Sequence, residues 1–77
     1  MTQAEIKFCE YKLQRTGGFY TSLFQTIFKA DDNNRAKLAM GFPDIVEVCN
    51  RYGGESGYWE LLVDKYNEMM GQEILFY

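Results

Sequence analysis

The stretch from Gly41 to Leu62, GFPDIVEVCNRYGGESGYWELL, constrains the fold more than any other part of this 77-residue chain. It holds the only proline, the only tryptophan and four of the seven glycines. Glycine and proline interrupt regular structure, and the segments between them are long enough for helices. Pro43 suits the first position of a helix, because no backbone N–H is needed there. The stretch therefore predicts two helices in quick succession, separated by a glycine-rich turn at 53–57.

Apolar residues recur at helical rather than alternating spacing in the other segments as well. Five helices are predicted, at 3–15, 19–30, 32–40, from 43 to the glycine pair at 53 and 54, and from 57 or 58 to 70. A chain of this length forms one domain at most. We therefore expect an all-α fold, a small single-domain bundle of about five short helices that covers residues 1–77.

Local signals predict where several helices begin and end. Thr2 and Glu5 have the spacing of a capping box, in which each side chain satisfies a free backbone N–H of the other residue. Asp31 or Asp32 can cap the third helix, because a carboxylate accepts the free N–H groups of the first turn. Gly41 suits the left-handed position that ends this helix.

Charge and composition argue against nucleic-acid and membrane partners. The net charge is −3, the pI is near 4.8, and the lysines and arginines are scattered, so no basic face is available for a phosphate backbone. No apolar run is long enough to cross a membrane, and the polar N-terminus does not have the pattern of a signal peptide. We expect a cytosolic protein.

No residue pattern predicts a catalytic, cofactor-binding or metal site. The chain has no histidine, and Cys9 and Cys49 form no CxxC pair. The two cysteines are therefore expected to be buried thiols, since nothing indicates the oxidising compartment that a disulfide needs. The sequence DDNN at 31–34 resembles the start of a calcium loop. The residues that follow do not provide the glycine and the glutamate that such a loop has at its sixth and twelfth positions.

The carboxylates do not predict catalysis either. Glu60, Asp64 and Glu68 are spaced four residues apart along one predicted helix, which is typical of a solvated face. The glycines at 53–57 precede a helix but do not match a phosphate loop, so a plain turn between helices is the better interpretation. The protein is predicted not to be an enzyme and to need no cofactor.

Apolar residues cover more than one face of the first and fifth predicted helices. A domain this small can hardly bury both sides of both helices, and exposed apolar patches mark protein contacts or self-association. The alternative is that the helices pack on each other and that the apolar tail at 72–77 folds back and covers the surplus. The candidate partner-binding residues are Tyr58, Leu61, Lys65 and Met69 on the fifth helix, and Phe8 and Tyr11 on the first.

Several short sequence words occur together between residues 17 and 62. They are GFY at 18–20, LF at 23–24, IFKAD at 27–31, NRAKL at 34–38, GFPD at 41–44, VE at 46–47 and GYWE at 57–60. As a set they resemble small proteins of bacteriophages and integrated mobile elements of gut and Gram-positive bacteria. Because no activity is assigned to that family, the resemblance implies an accessory protein in the cytoplasm of a bacterial host cell and carries over no catalytic residue.

These observations favour a non-enzymatic protein-binding module of a phage or mobile element. The sharper version is an inhibitor or modulator of a host defence system, similar to an anti-CRISPR protein, in which a small acidic domain blocks a larger basic nuclease surface. The alternative is a homo-oligomeric structural or accessory protein, such as a homodimer whose terminal helices and tail pair between copies.

Overall fold

The computed structural model describes all residues from Met1 to Tyr77 and contains five helices and no strand. The helices are α1 (Gln3–Lys12), α2 (Gly18–Lys29), α3 (Asp32–Gly41), α4 (Pro43–Gly54) and α5 (Tyr58–Met70). The predicted all-α class, a small bundle of about five short helices, is confirmed. None of the five helices is both long enough and apolar enough to span a membrane.

The predicted caps are present. The N–H of Glu5 donates to Oγ1 of Thr2 at 3.1 Å, and the N–H of Thr2 donates to Oε1 of Glu5 at 2.9 Å, which completes the capping box of α1. Asp31 rather than Asp32 caps α3, because Oδ1 of Asp31 accepts the N–H of Asn34 at 2.8 Å. Each cap satisfies N–H groups that have no partner inside the helix.

Two predicted helix ends are wrong. The first helix ends at Lys12 instead of residue 15, because Gln14 has a φ of 60°, a left-handed conformation that no α-helix continues through. Gly41 is not left-handed but lies inside α3, and the chain turns at Phe42, with φ −135° and ψ 61°. Pro43 explains this turn, since the residue before a proline is excluded from the helical region by its ring.

The helix α4 lies at the centre of the bundle and contacts each of the other four helices, while α1 contacts α2, α4 and α5. The core contains fifteen buried apolar residues, drawn from four helices and the tail: Ala4, Phe8, Cys9, Leu23, Phe24, Ile27, Ile45, Val46, Val48, Cys49, Tyr58, Leu62, Val63, Tyr66 and Leu75. Cys9 and Cys49 are both buried and free, as the sequence predicts. Close packing of these residues is the main source of stability.

The domain is thin, and this shape explains its exposed apolar side chains. Its principal extents are 38 × 28 × 18 Å. The shortest extent is less than two helix diameters of about 10–12 Å. Every helix therefore has one face in solvent, and only 16 of the 77 residues are buried.

Candidate protein-binding surface

Two of the six predicted partner-binding residues are core residues. Phe8 is 0% exposed and Tyr58 is 1% exposed. The ring of Phe8 lies at the centre of an aromatic cluster, with centroids 5.0 Å from Tyr52, 5.5 Å from Phe24 and 5.9 Å from Trp59. The expectation that Phe8 and Tyr58 belong to an exposed patch is wrong, because α1 packs against α2, α4 and α5 and encloses both rings.

Tyr58 is buried together with Glu5, which accepts the hydrogen bond of its hydroxyl. The hydroxyl donates to Oε2 of Glu5 at 2.9 Å, and the guanidinium of Arg51 lies 4.2 Å from the Tyr58 ring centroid. Burial, followed by the hydrogen bond to Glu5, raises the pKa of Tyr58. Burial opposes the ionisation of Glu5, but hydrogen bonds from Thr2 and Tyr58 outweigh it and lower the pKa of Glu5. This network holds α1 against α5. The Glu5 carboxylate is occupied by hydrogen bonds from Thr2 and Tyr58, so it is not free to act as a general base.

The other four predicted residues differ in exposure. Tyr11 is half-buried, and its ring stacks on Phe24 with centroids 4.9 Å apart. Leu61 is 42% exposed and Met69 is 49% exposed, with Lys65 exposed between them on α5. The structure therefore brings together only the three residues of the outer face of α5 as an accessible set.

The tail, residues 72–77, folds back along α5, and the side chain of Asn67 makes three hydrogen bonds to its backbone. Oδ1 of Asn67 accepts the N–H groups of Ile74 and Leu75 at 3.0 and 2.9 Å, and Nδ2 of Asn67 donates to the carbonyl oxygen of Leu75 at 2.9 Å. Leu75 is buried, at 5% exposure. The reversal starts at Gly71, whose φ of 76° is a conformation that glycine adopts without strain.

The end of the tail lies beside the carboxylates of α5. The hydroxyl of Tyr77 donates a hydrogen bond to Oδ1 of Asp64. This bond raises the pKa of Tyr77, and the nearby charges of Glu60 and Glu73 act in the same direction. Phe76 is 69% exposed and Tyr77 is 72% exposed. Glu68 is exposed one helical turn after Asp64. We name the following set the acidic–aromatic surface: Glu60, Asp64, Glu68, Glu73, Phe76 and Tyr77.

The net formal charge of the chain lies in its last twenty residues. The segment 58–77 carries four of the eleven acidic side chains and one of the eight basic ones. In residues 1–57, the remaining seven acidic and seven basic side chains cancel. The whole net charge of −3 therefore comes from α5 and the tail. A concentrated charge of this kind produces a local field that attracts the opposite sign over about a Debye length.

An apolar groove borders the acidic–aromatic surface. It has a volume of about 530 Å³. It is lined by Lys12, Leu13, Tyr52, Trp59, Ile74, Leu75, Phe76 and Tyr77. The ammonium of Lys12 lies 5.1 Å from the Tyr52 ring centroid and 5.5 Å from that of Trp59, and it donates to the Tyr52 hydroxyl at 3.3 Å. The groove offers aromatic walls and one positive charge to whatever contacts the tail.

Reactive groups are confined to the core. Burial raises the pKa of Cys9 to about 12 and that of Cys49 to about 11, so neither thiol ionises near neutral pH. No group of three or more cysteine, aspartate or glutamate side chains is placed to hold a metal ion. The accessible chemistry of the surface consists of carboxylates, aromatic rings and aliphatic side chains.

The sequence analysis expects the tail at 72–77 either to fold back or to pair between copies, but it does not name Asn67, Phe76 or Tyr77 as candidate residues. The concentration of charge after Gly57 can be read directly from the sequence and would have pointed to this region. The role of Asn67 has no local signal, because its three hydrogen bonds exist only once the tail has reversed direction.

No protein-family model, no curated protein and no solved structure matches this chain. The resemblance to phage and mobile-element proteins therefore stays a prediction that rests on the sequence words between residues 17 and 62. The functional proposal that follows is argued from the geometry and charge of the surface.

Proposed function

We propose that this protein is a non-enzymatic binding module that docks on a basic protein through its acidic–aromatic surface. The observation that carries the proposal is the coincidence of two features in one place. The whole net charge of −3 lies in residues 58–77, and so do the exposed rings of Phe76 and Tyr77. Aromatic side chains are common anchors of protein interfaces, and charge complementarity steers the encounter and excludes wrong partners.

The sign of the charge argues for a foreign partner over a second copy at this surface. In an isologous dimer, each patch meets its own equivalent, so Glu60, Asp64 and Glu73 would face like charges. Such a pairing costs free energy unless counterions or protonation relieve it. A partner with lysines and arginines around an apolar depression fits better.

The resemblance to phage proteins gives this partner a sharper form. A nuclease of a host defence system carries basic grooves that bind the phosphate backbone of nucleic acid. An acidic domain seated in such a groove would exclude the nucleic acid both sterically and electrostatically. In this version the protein is an anti-CRISPR-like inhibitor or modulator that acts in the cytoplasm of a bacterial host.

The test uses two charge-reversal pairs that differ only in location. Glu60→Lys with Glu68→Lys changes the α5 surface, whereas Asp32→Lys with Glu47→Lys changes exposed positions of α3 and α4. Each substitution adds two charges, so either pair moves the net charge from −3 to +1. Glu60 and Asp32 both lie in the first helical turn, so the loss of favourable dipole interaction is matched.

Partners captured from a bacterial lysate would be identified by mass spectrometry, and binding would then be measured with the purified partner at low and high salt. We expect the α5 pair to weaken binding about tenfold or more and the control pair to change it less than about twofold, with wild-type binding weaker at high salt. Equal losses in both pairs, or no loss in the α5 pair, would overturn the proposal.

The homo-oligomer remains the second candidate, because the tail is an apolar segment held by few contacts. Light scattering over a dilution series separates the two functions. A dimer that persists at every concentration, and that survives the α5 charge reversal, would favour a structural protein without an external partner.

A further inference from the structure

We propose that Asn67 and its surroundings form a binding site for a short peptide segment, and that the tail of a second copy can occupy this site in place of the chain's own tail. The inference concerns the buried position that the Leu75 side chain occupies beside Asn67, which we call the seat of Leu75. It does not depend on a basic partner. Its test keeps every carboxylate of the acidic–aromatic surface and measures pairing between copies, so its outcome is separate from that of the proposed function.

The hydrogen bonds at this site involve only backbone groups of the bound segment. The amide of Asn67 accepts two consecutive N–H groups, from Ile74 and Leu75, and donates to one carbonyl oxygen. These groups are present in any segment that has no proline at the two positions and that can turn both N–H groups to the same side. Selectivity comes from the buried seat of Leu75, which needs an aliphatic side chain.

Residues 71–73, which connect α5 to the tail, are exposed and can change conformation without disturbing the packing of the helices. Gly71 has a left-handed φ of 76°, and Gln72 and Glu73 are exposed. The only backbone bonds that tie these residues to the helix are those of the helix end, from the N–H groups of Gly71 and Gln72 to Asn67 and Glu68. Residues 71–77 span about 23–25 Å when extended, enough to reach a neighbouring molecule.

The second copy is the occupant that the structure supports, because its tail has the sequence that is seated here. Exchange of tails replaces each contact with the same contact from another molecule, so it costs no hydrogen bond and no apolar burial. What opposes exchange is the effective concentration of the chain's own tail, which is about 1 mM for a short linker. Wild-type protein should therefore stay closed at lower concentrations.

Two variants of the 77-residue chain, mixed together, remove the competition from the chain's own tail. In Leu75→Asp the tail cannot enter its seat but the Asn67 amide is intact. In Asn67→Ala the seat cannot hold a tail but Leu75 is intact. We expect each variant alone to be a monomer, and an equal mixture to form a heterodimer in which the seat of the first takes the tail of the second.

Light scattering coupled to size-exclusion chromatography reads this as a rise in mass from 9.0 kDa towards twice that value. The matched control is the double variant Asn67→Ala with Leu75→Asp, which offers neither seat nor tail and should not pair with either single variant. If both single variants are folded and their mixture stays monomeric up to about 1 mM, the proposal is wrong.

A second measurement covers the case in which either variant fails to fold. A synthetic peptide of residues 72–77 is titrated into the wild-type chain, and the indole signal of Trp59, which lines the groove, is followed by NMR. We expect a saturable shift near about 1 mM peptide that is absent when the peptide carries Leu75→Asp. No shift with the native peptide would overturn the proposal.

Discussion

The guanidinium of Arg35, in the middle of α3, donates a 2.9 Å hydrogen bond to the carbonyl oxygen of Ile27 near the end of α2. A second N–H of the same group donates to Oδ1 of Asn50 on α4 at 3.0 Å. The carbonyl belongs to the negative end of the α2 dipole, which favours a cation. Since α3 contains no fully buried residue, Arg35 is the polar tie between this helix and the bundle.

We predict that Arg35→Lys destabilises the protein by about 1–2 kcal/mol, although the charge is kept. A single ammonium on a flexible stem cannot reach both acceptors in the planar geometry that the guanidinium provides. The free energy of unfolding in urea measures the loss, and hydrogen exchange should show faster opening of α3 than of α4. Lys37→Arg on the exposed face of α3 is the control and should change stability by less than about 0.5 kcal/mol. An Arg35→Lys variant as stable as wild type would show that packing alone holds α3.

The bond between Tyr58 and Glu5 leads to a pH-dependent prediction. Tyr58→Phe removes a hydrogen bond to a buried carboxylate and should cost about 1.5–3 kcal/mol at neutral pH. The pKa of Glu5 is lowered in the folded state, so its contribution is present above the unfolded value of 4.5 and is lost as pH falls through the folded pKa. The difference between variant and wild type should therefore shrink in acid.

Tyr66→Phe is the matched control for this experiment. Tyr66 is as buried as Tyr58, at 4% against 1% exposure, but its hydroxyl has no partner among the side-chain hydrogen bonds. Its replacement should change the free energy of unfolding by less than about 0.5 kcal/mol at any acidic or neutral pH. Equal losses in the two variants would mean that the hydroxyl of Tyr58 contributes little through Glu5.

The helices could be predicted from sequence because their signals are local. The capping box of Thr2 and Glu5, the cap of Asp31 and the start of α4 at Pro43 each depend on residues within one turn. The left-handed end expected at Gly41 does not form, because the effect of Pro43 on Phe42 outweighs the preference of glycine for a left-handed end.

The candidate surface could not be predicted in the same way, because it depends on contacts between distant residues. Tyr58 and Leu61 lie three residues apart on the same apolar stripe of α5. Tyr58 is nevertheless buried, whereas Leu61 is 42% exposed. The difference arises from α1, which places Glu5 against the Tyr58 hydroxyl across 53 positions of sequence. Only the excess of carboxylates after Gly57 was available without the fold.

This difference in environment gives a third prediction, on substitutions at predicted partner residues. Phe8→Ala opens a cavity at the centre of the aromatic cluster and should cost about 3–5 kcal/mol, enough to unfold a domain of this size. Leu61→Ser leaves the core intact and should change stability by less than about 0.5 kcal/mol. Thermal unfolding followed by circular dichroism distinguishes them, and a large loss in Leu61→Ser would contradict the assignment of this side chain to the surface.

The two buried thiols predict a loss of stability in alkali. In the unfolded chain both ionise near their ordinary value of 9.0, whereas burial raises the folded pKa of Cys9 to about 12 and that of Cys49 to about 11. A raised folded pKa contributes stability that is complete below the unfolded value and is lost as pH rises through the folded one. Between pH 9 and 10, the free energy of unfolding should fall by about 2 kcal/mol, and the slope approaches about 2.7 kcal/mol per pH unit as both thiols become fully ionised in the unfolded chain alone.

Urea unfolding under reducing conditions at closely spaced pH values measures this slope. Cys49→Ala lowers stability at every pH because it leaves a cavity, but it should also reduce the alkaline slope to about 1.4 kcal/mol per pH unit. The slope is the informative quantity, because a purely structural role for Cys49 would lower stability without changing it. The raised pKa values of Tyr58, Tyr66 and Tyr77 add to the effect mainly above their ordinary value of 10.0, so the thiols dominate the slope below that pH. A stability that stays constant between pH 8 and 10 would mean that both thiols ionise in the folded protein, and that the core around α1 and α4 is open to water.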